Sequence, residues 1–324
     1  MAGIFDLCST LYTTVNNLRN QEKFLINHIH PLIQDALNNN DGTLDAEDCN
    51  KINRYYGLAV PAVIAEAICV LHGIQLSQKE RWASTCQGAM TGIFDDFLDN
   101  DDLSANEIAI KLIPEKKKIT GTKEKLFDYF FMEAISHVPD RTAMLKTLQQ
   151  VHAAQIESLA QRDTISPDKI KEITRLKGGS SLLFYRTAIN IDPTEQEIIL
   201  LFEAGALMQL CNDIFDVNKD REEKINTLAT VNNLNDLQEY FYSSLSAFRN
   251  LLWELSLPVN QKQKFFNLIS IAVFNRTMVV LQQFQRIQKR EKVFNVNQLS
   301  RKELICDMDS IRNKIRSAIH FVKT

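Results

Sequence analysis

The sequence predicts an all-α protein in which residues 1–324 form a single domain. Apolar residues recur at helical spacing along nearly every segment, and convincing strand alternation is absent. Glycine (10 residues) and proline (7 residues) are scarce for a chain of 324 residues, and both residue types normally mark turns and loops. This scarcity favours long helices, and no change in composition divides the chain into two halves.

The helical spacing predicts about ten helices, and two of them begin at well-marked caps. Ser166 and Pro167 supply a cap and a proline at the first helical position. Asp192, with Glu195 three residues later, supplies the cap of another helix. The predicted helices are Phe24–Leu37, Cys49–His72, Lys79–Asp99, Lys123–Ser136, Arg141–Gln161, Asp168–Asn190, Pro193–Glu222, Asp236–Leu255, Gln261–Lys289 and Arg301–Phe321.

Charge and cysteine usage narrow the class of protein. The formal net charge of −3 leaves no electrostatic footprint for nucleic acid. The N-terminus lacks the pattern of a secretory signal, and no run of about 18 apolar residues predicts a membrane span. Six cysteines without C-x-x-C spacing indicate reduced thiols. We therefore expect a cytoplasmic protein, for which a monomer and a homodimer both stay open.

An acidic segment, TGIFDDFLDNDD, ends one apolar helix at Thr91–Asp102. Asp95, Asp96 and Asp99 form a D-D-x-x-D motif, in which Asp95 and Asp99 share one helical face. Two like charges at this spacing destabilise a helix, and a bound cation would remove that cost. Carboxylates suit a hard cation such as Mg²⁺. The alternative is an acidic helix end that runs into a solvated loop.

A second polar stripe lies in the predicted helix Pro193–Glu222. Asn212, Asp216 and Asp220 follow at four-residue spacing and offer three oxygen donors along roughly 12 Å of helix. The helix is strongly apolar before this stripe, so the donors are expected where a core helix reaches the rim of a cavity. The alternative is an exposed helix end that nearby Lys and Arg residues neutralise. Because both acidic stripes end apolar helices, we expect them to form two walls of one pocket.

Two adjacent glycines interrupt the helical pattern between these motifs, in the segment RLKGGSS. A glycine inside a helix costs roughly 1 kcal/mol relative to alanine, so Gly178 and Gly179 predict either a break or a close approach. A break would free backbone groups beside Arg175 and Lys177, and such cations suit a ligand that carries phosphate. The alternative is a packing glycine between two close helices.

Together these motifs resemble the class I isoprenoid synthase superfamily. The resemblance is carried by DDFLD at 95–99 and NDIFDVNKD at 212–220, and it covers roughly residues 50–225. The N-D-x-x-[S/D]-x-x-K-[E/D] form of the second motif is similar to that of microbial class I terpene cyclases, with Asp216 in place of serine. The form Q-x-x-N-D-x-x-D, which begins at Gln209, is also similar to the second aspartate-rich motif of trans-prenyltransferases.

The resemblance implies a single-domain helical bundle around a central apolar cavity, with three Mg²⁺ ions. Two ions would be held by Asp95 and Asp99, with Asp96 as a helper. The third would be held by the second motif. The implied metal ligands are Asp95, Asp96, Asp99, Asn212, Asp216 and Asp220.

The resemblance also implies groups that serve the diphosphate and the apolar chain of the substrate. Arg175 and Gly179, four residues apart, fit the diphosphate-sensing arginine and the effector glycine of cyclases. Lys177 and Lys219 are further candidates for contact with the diphosphate. An aromatic cavity would exclude water from a carbocation and stabilise its charge. The expected substrate contacts are Phe94, Phe97, Phe184, Tyr185 and Gln209.

The expected activity is that of a Mg²⁺-dependent class I terpene synthase, a lyase that ionises one linear prenyl diphosphate and releases diphosphate. Chain-elongating prenyltransferases carry a second basic site and an arginine pair soon after the first motif. The residues after Asp99 read NDDLSANEIAIK and contain no arginine. A trans-prenyltransferase, chain-elongating or head-to-head, stays open as an alternative, as does a helical regulatory subunit without activity.

Overall fold

The computed structural model describes residues 3–99 and 121–323, except for the side chains of Asp95, Asp96, Leu98 and Asp99. Within these ranges every regular element is a helix, and no strand occurs. The predicted all-α class is therefore confirmed.

The helices are labelled in chain order. In the first half of the chain they are α1 (Ile4–Phe24), α2 (His30–Asn38), α3 (Ala46–His72), α4 (Gln78–Asp99), α5 (Thr122–His137) and α6 (Arg141–Ser158). In the second half they are α7 (Pro167–Arg186), α8 (Glu195–Phe215), α9 (Val217–Glu222), α10 (Leu228–Val231), α11 (Leu234–Glu254), α12 (Val259–Glu291), α13 (Arg301–Leu304) and α14 (Ile311–Lys323). Segments of π-helix are Leu25–Ile29, Lys51–Tyr56, Val60–Ala65 and Ser270–Phe274.

Contacts between Cα atoms divide the chain into two compact units. The N-terminal unit contains Tyr12–His152 and Phe184–Asp192. The C-terminal unit contains Met1–Leu11, Ala153–Leu183 and Pro193–Thr324. The single domain expected from the sequence stays a prediction.

Glycines let α3 and α4 approach closely in the N-terminal unit. A Cβ atom on Gly88 would lie 2.5 Å from the carbonyl oxygen of Tyr56, and one on Gly92 would lie 3.1 Å from its ring. Helix α4 also packs against α5, where the rings of Phe97 and Phe127 meet edge to face with centroids 5.6 Å apart. These contacts hold the last turns of α4, which carry the first acidic motif, against apolar neighbours.

In the C-terminal unit the backbones of α7 and α8 touch at Gly178 and Gly205. A Cβ atom on either glycine would collide with the carbonyl oxygen of the other. Helix α7 continues through Gly178 and Gly179 without interruption. The predicted break in this helix is therefore wrong, and the predicted close approach is confirmed. Close packing of the two helices offsets the intrinsic cost of glycine in a helix.

The start of α8 differs from the prediction. Thr194, rather than Asp192, caps this helix, because the Thr194 hydroxyl oxygen accepts the backbone N–H of Glu197 at 3.1 Å. Helix α8 therefore begins at Glu195 and not at Pro193. A threonine two residues beyond an aspartate offers the same kind of cap, and the packing of the following helix selects between them.

The two ends of the chain also differ from the prediction. Helix α1 lies outside the predicted set because three of its four buried positions, Thr10, Asn17 and Gln21, are polar, so the helix shows no apolar period. The predicted helix Arg301–Phe321 is divided into α13 and α14. The Asp307 carboxylate accepts the backbone N–H of Asp309 at 2.9 Å and turns the chain between them.

Three helices of the described chain, α3, α8 and α12, are long and apolar enough to cross a membrane by length and composition. Between 50% and 72% of each apolar window is buried inside the protein, which also accounts for an apolar composition. The expected absence of a membrane span stays a prediction.

Candidate functional site

The second motif lies where α8 ends and α9 begins. Asp216 has φ −89° and ψ 7°, so it separates the two helices. The helical hydrogen bonds nevertheless continue, since Asp216 N–H donates to the Asn212 carbonyl oxygen at 2.8 Å and Asp220 N–H donates to the Asp216 carbonyl oxygen at 2.9 Å. The predicted uninterrupted helix is wrong at Asp216, but the four-residue spacing of the three donors is kept.

Asp213 lies deepest among the acids of this motif, at 5% exposure. One of its carboxylate oxygens accepts the Gln209 side-chain N–H at 2.8 Å, and the other accepts the Thr174 hydroxyl at 3.1 Å. Burial raises the pKa of Asp213 to about 6 despite these hydrogen bonds. Gln209, predicted to contact substrate, is thus a hydrogen-bond partner of an acidic side chain.

Asp216 and Asp220 complete a group that we call the carboxylate cluster: Asp213, Asp216 and Asp220. Burial raises the pKa of half-buried Asp216, while Lys219 and a hydrogen bond from the Asn212 amide at 3.1 Å oppose the shift. Burial, followed by the negative charges of Asp213 and Asp216, raises the pKa of Asp220 to about 8. The three acids therefore repel one another in a setting that water screens poorly.

Two predicted cations, Lys177 and Lys219, differ in how many acids of the carboxylate cluster they affect. Lys177 on α7 lowers the pKa of each of the three acids, although burial outweighs it. Lys219 is mostly exposed and lies 3.9 Å from Glu223. Lys177 is therefore the predicted cation that the structure brings into the electrostatic reach of the whole cluster.

Arg175 has partners of its own. Its guanidinium forms an ion pair with Glu203 and lies over the ring of Phe202, 5.1 Å from the centroid. A Cβ atom on Gly179 would lie 2.5 Å from the same ring. Gly179, the expected effector glycine, therefore has a packing role, and a contact between Arg175 and a phosphate would require its ion pair to open.

The first motif occupies the last turns of α4, up to Asp99. The side chains of Asp95, Asp96 and Asp99 lie outside the described part of the structure, as do Asp101 and Asp102. The prediction that these acids hold metal therefore stays a prediction.

Four aromatic residues expected at the substrate are buried in the N-terminal unit. The rings of Phe94 and Phe97 both contact that of Phe127, with centroids 6.2 and 5.6 Å apart. Phe184 and Tyr185 lie with ring centroids 5.7 Å apart. All four residues are at most 6% exposed. This burial is expected both for a core side chain and for the wall of a closed apolar cavity, so it does not distinguish the two roles. Their assignment to the substrate stays a prediction.

The resemblance implies Mg²⁺, and the chemistry of the cluster fits this ion. Among the side chains that the structure describes, which leave out the acids of the first motif, no group of three or more His, Cys, Asp or Glu is arranged to hold a metal. Mg²⁺ needs only one or two carboxylates, because it keeps several waters and takes phosphate oxygens of its substrate. Asn212 and Asp216 together with Asp220 offer such a partial set, and a cation would offset the repulsion between the carboxylates when they are ionised.

Thr174 is a residue of the site that the sequence did not indicate. The Thr174 hydroxyl is buried against Asp213. Thr174 directly precedes Arg175 in the sequence, but no motif marks it. Asp213 belongs to the N-D-x-x-D pattern, which is the signal that could have placed it in the cluster. Both residues hold the polar end of α8 in position.

No protein-family model matches this sequence, and no curated protein is significantly similar to it. The likeness to class I isoprenoid synthases is therefore one of motifs, and it stays a prediction.

Proposed function

We propose that this protein is a Mg²⁺-dependent class I terpene synthase that ionises a linear prenyl diphosphate and releases diphosphate. One observation supports this most: the apolar helix α8 leads into a cluster of three carboxylates, two buried and one half-buried, whose pKa values are raised. Such a cluster costs free energy in the free protein. A divalent cation that arrives with a phosphate-bearing substrate would remove that cost.

In this proposal Asn212, Asp216 and Asp220 hold Mg²⁺, and Asp95 and Asp99 of the first motif hold further ions. A bound Mg²⁺ would supply positive charge to neutralise the negative charge that develops on the departing diphosphate. Asp213 does not need to bind metal, because Gln209 and Thr174 already satisfy both of its oxygens.

The basic residues have distinct tasks in this proposal. Lys177 binds the diphosphate beside the cluster. It stabilises the negative charge that the diphosphate gains as the allylic C–O bond breaks. Lys219 is exposed and can move, so it can turn from Glu223 towards the same group. Arg175 contributes only after it leaves Glu203. The buried aromatic residues exclude water from the resulting cation.

A trans-prenyltransferase is the second candidate, and one observation favours it. The hydrogen bond from Gln209 to Asp213 joins the first and fifth residues of the Q-x-x-N-D-x-x-D pattern, which is similar to the second motif of those enzymes. Both candidates ionise an allylic diphosphate, and they differ in whether isopentenyl diphosphate is consumed.

The test is to incubate the full chain with Mg²⁺ and each linear prenyl diphosphate from C10 to C25, with and without isopentenyl diphosphate. Diphosphate release and product masses are measured. We expect release without isopentenyl diphosphate and a hydrocarbon or alcohol product. Longer prenyl diphosphates formed only with isopentenyl diphosphate would favour the prenyltransferase. No release from any substrate would contradict both and favour a regulatory subunit.

A further inference from the structure

Helix α14 turns its isoleucines towards solvent. Ile311, Ile315 and Ile319 are 77%, 55% and 48% exposed. Residues four apart on a helix share one face, so the three side chains form a row along roughly 12 Å of the helix. We call this row the isoleucine face. A contiguous exposed apolar patch with polar residues at its rim is typical of an interaction surface.

The inward side of α14 is held by polar contacts. Asn313 and Ser317 are 8% and 5% exposed, although they are polar. The Asn313 side-chain N–H donates to the carbonyl oxygen of Asp307 at 2.8 Å. Phe321 adds apolar packing on the same side, at 2% exposure. Because these inward groups are buried and bonded, α14 cannot turn its isoleucines into the protein without leaving Asn313 unsatisfied.

Basic residues line the isoleucine face. Helix α14 contains Arg312, Lys314, Arg316 and Lys323 and no acidic residue, in a chain whose formal net charge is −3. At about 100° per residue, Arg312, Arg316 and Lys323 lie along one edge of the isoleucine face and Lys314 lies along the other. Asp309, before the helix, pairs with Lys314 at 3.4 Å.

The positive charge extends onto α12. Burial, followed by the positive charges of Arg286 and Arg312, lowers the pKa of Arg316. Like charges therefore gather at this end of the C-terminal unit, where α12 and α14 pack together. An anionic partner would stabilise such a group of cations.

The charge also decides between two ways to cover the isoleucine face. In a symmetric dimer the same patch would meet itself, so the basic edges of the two copies would lie close together and repel each other. A surface of anionic lipid offers acyl chains to the isoleucines and negative headgroups to the arginines and lysines.

We propose that α14 is an interfacial helix that binds the surface of an anionic membrane. Its isoleucines enter the boundary between headgroups and acyl chains, and its Lys and Arg side chains contact the headgroups. The helix lies on the membrane and does not cross it, since 13 residues span only about 20 Å. This inference does not depend on the proposed catalytic activity.

The test is co-sedimentation of the full chain with vesicles, in the absence of any prenyl diphosphate. Vesicles of phosphatidylcholine alone are compared with vesicles that also contain phosphatidylserine. We expect binding to the anionic vesicles and weak binding to the neutral ones. Raising the salt from about 0.1 M to about 1 M shortens the screening length from about 10 Å to about 3 Å and should release most of the protein. Equal binding to both kinds of vesicle would overturn the proposal.

Paired variants separate the contribution of the basic residues to membrane binding from that of the isoleucines. Arg312→Gln with Lys323→Gln, both at exposed positions, should weaken binding by about 25-fold, at about 1 kcal/mol for each basic residue near an anionic surface. Ile315→Asn with Ile319→Asn should weaken it by about tenfold or more. The controls are Arg19→Gln with Arg141→Gln, which removes the same charge at exposed positions elsewhere, and Val259→Asn, at a residue that is 69% exposed. Both controls should bind as the wild type does.

Two further results would overturn the proposal. One is undiminished vesicle binding by the variant that lacks the charges of Arg312 and Lys323. The other is a dimer, seen by sedimentation, that dissociates in the isoleucine pair variant while vesicles are not bound; that result would assign the isoleucine face to a second copy of the chain. Thermal unfolding of each variant checks that the fold is retained.

Discussion

The carboxylate cluster and the isoleucine face both reverse the ordinary distribution of residues in a protein. The first places charged groups inside the C-terminal unit, and the second places large apolar groups on its surface. Their costs differ. Buried carboxylates destabilise the folded protein itself and shift their pKa values, whereas exposed isoleucines leave the folded core unchanged. The carboxylate cluster should therefore respond to pH and to cations in the isolated protein. The isoleucine face should respond only when a membrane surface is added.

The largest expected effect concerns catalysis at the carboxylate cluster. Asp216→Asn keeps the shape of the side chain and removes a metal ligand, so Mg²⁺-dependent diphosphate release should fall by at least about 100-fold. Asn212→Ala and Asp95→Ala should likewise abolish turnover, with the helical circular dichroism spectrum unchanged. Asp168→Asn is the matched control, since this acid is 91% exposed on α7 and pairs with Lys171 there. Full activity in Asp216→Asn would contradict the site.

The next effect concerns the helix contact that supports the cluster. Gly178→Ala places a Cβ atom against the carbonyl oxygen of Gly205 and 2.7 Å from the Cβ atom of Gln209. We expect a loss of about 1–3 kcal/mol in the free energy of unfolding, measured by chemical denaturation. Ser181→Ala, three residues further along α7, should cost less than about 1 kcal/mol. If both variants unfold alike, the two backbones do not need to touch.

A smaller effect concerns the pH dependence of stability. The pKa of Asp220 rises from an ordinary 3.8 to about 8 in the folded protein, so the folded state keeps a proton that the unfolded state loses. Between these values the free energy of unfolding should fall as the pH rises. Asp220→Asn should flatten this fall and raise the unfolding temperature at pH 8, by about 2–4 °C for each kcal/mol gained.

Measuring the unfolding temperature with added Mg²⁺ tests the same group of acids. It should raise the unfolding temperature of the wild type more at pH 8 than at pH 5, because only ionised carboxylates attract the ion. Asp220→Asn should show a smaller Mg²⁺ effect. A steady unfolding temperature in the wild type across this pH range, with and without Mg²⁺, would show that the acids do not interact as described.

The smallest expected effect lies at the isoleucine face. Ile315→Asn should change the free energy of unfolding by less than about 0.5 kcal/mol, since the side chain is mostly exposed and the two residues have similar helix propensities. Chemical denaturation without lipid measures this. A clear loss of stability would show that Ile315 packs against the protein and that the face is not free.

Spacing within one helix could be predicted, whereas contacts between helices could not. The four-residue spacing of Asn212, Asp216 and Asp220 follows from the sequence because hydrogen bonds along the chain fix it. The partner of Arg175 could not be predicted, since Glu203 is 28 residues away along the chain and on another helix. The two meanings of Gly178, a break or a close approach, were distinguishable only once α8 was in place.

Helix ends follow the same rule. Ser166 caps α7 as predicted, because its hydroxyl oxygen accepts the backbone N–H of Lys169 at 3.2 Å, a contact within one turn. Helix α1 was missed because its polar side is the buried one, and an apolar period reports burial only when apolar residues are the ones buried.

By itself the sequence determined that the protein is helical, where most helices lie and which acids share a helical face, because these properties depend on neighbours within one or two turns. Only the tertiary structure decided that Asp213 is buried against Thr174, that Arg175 is paired with Glu203, and that α14 turns its isoleucines outward. Burial and pairing depend on residues distant along the chain, and these determine the pKa of an acid and the exposure of an isoleucine.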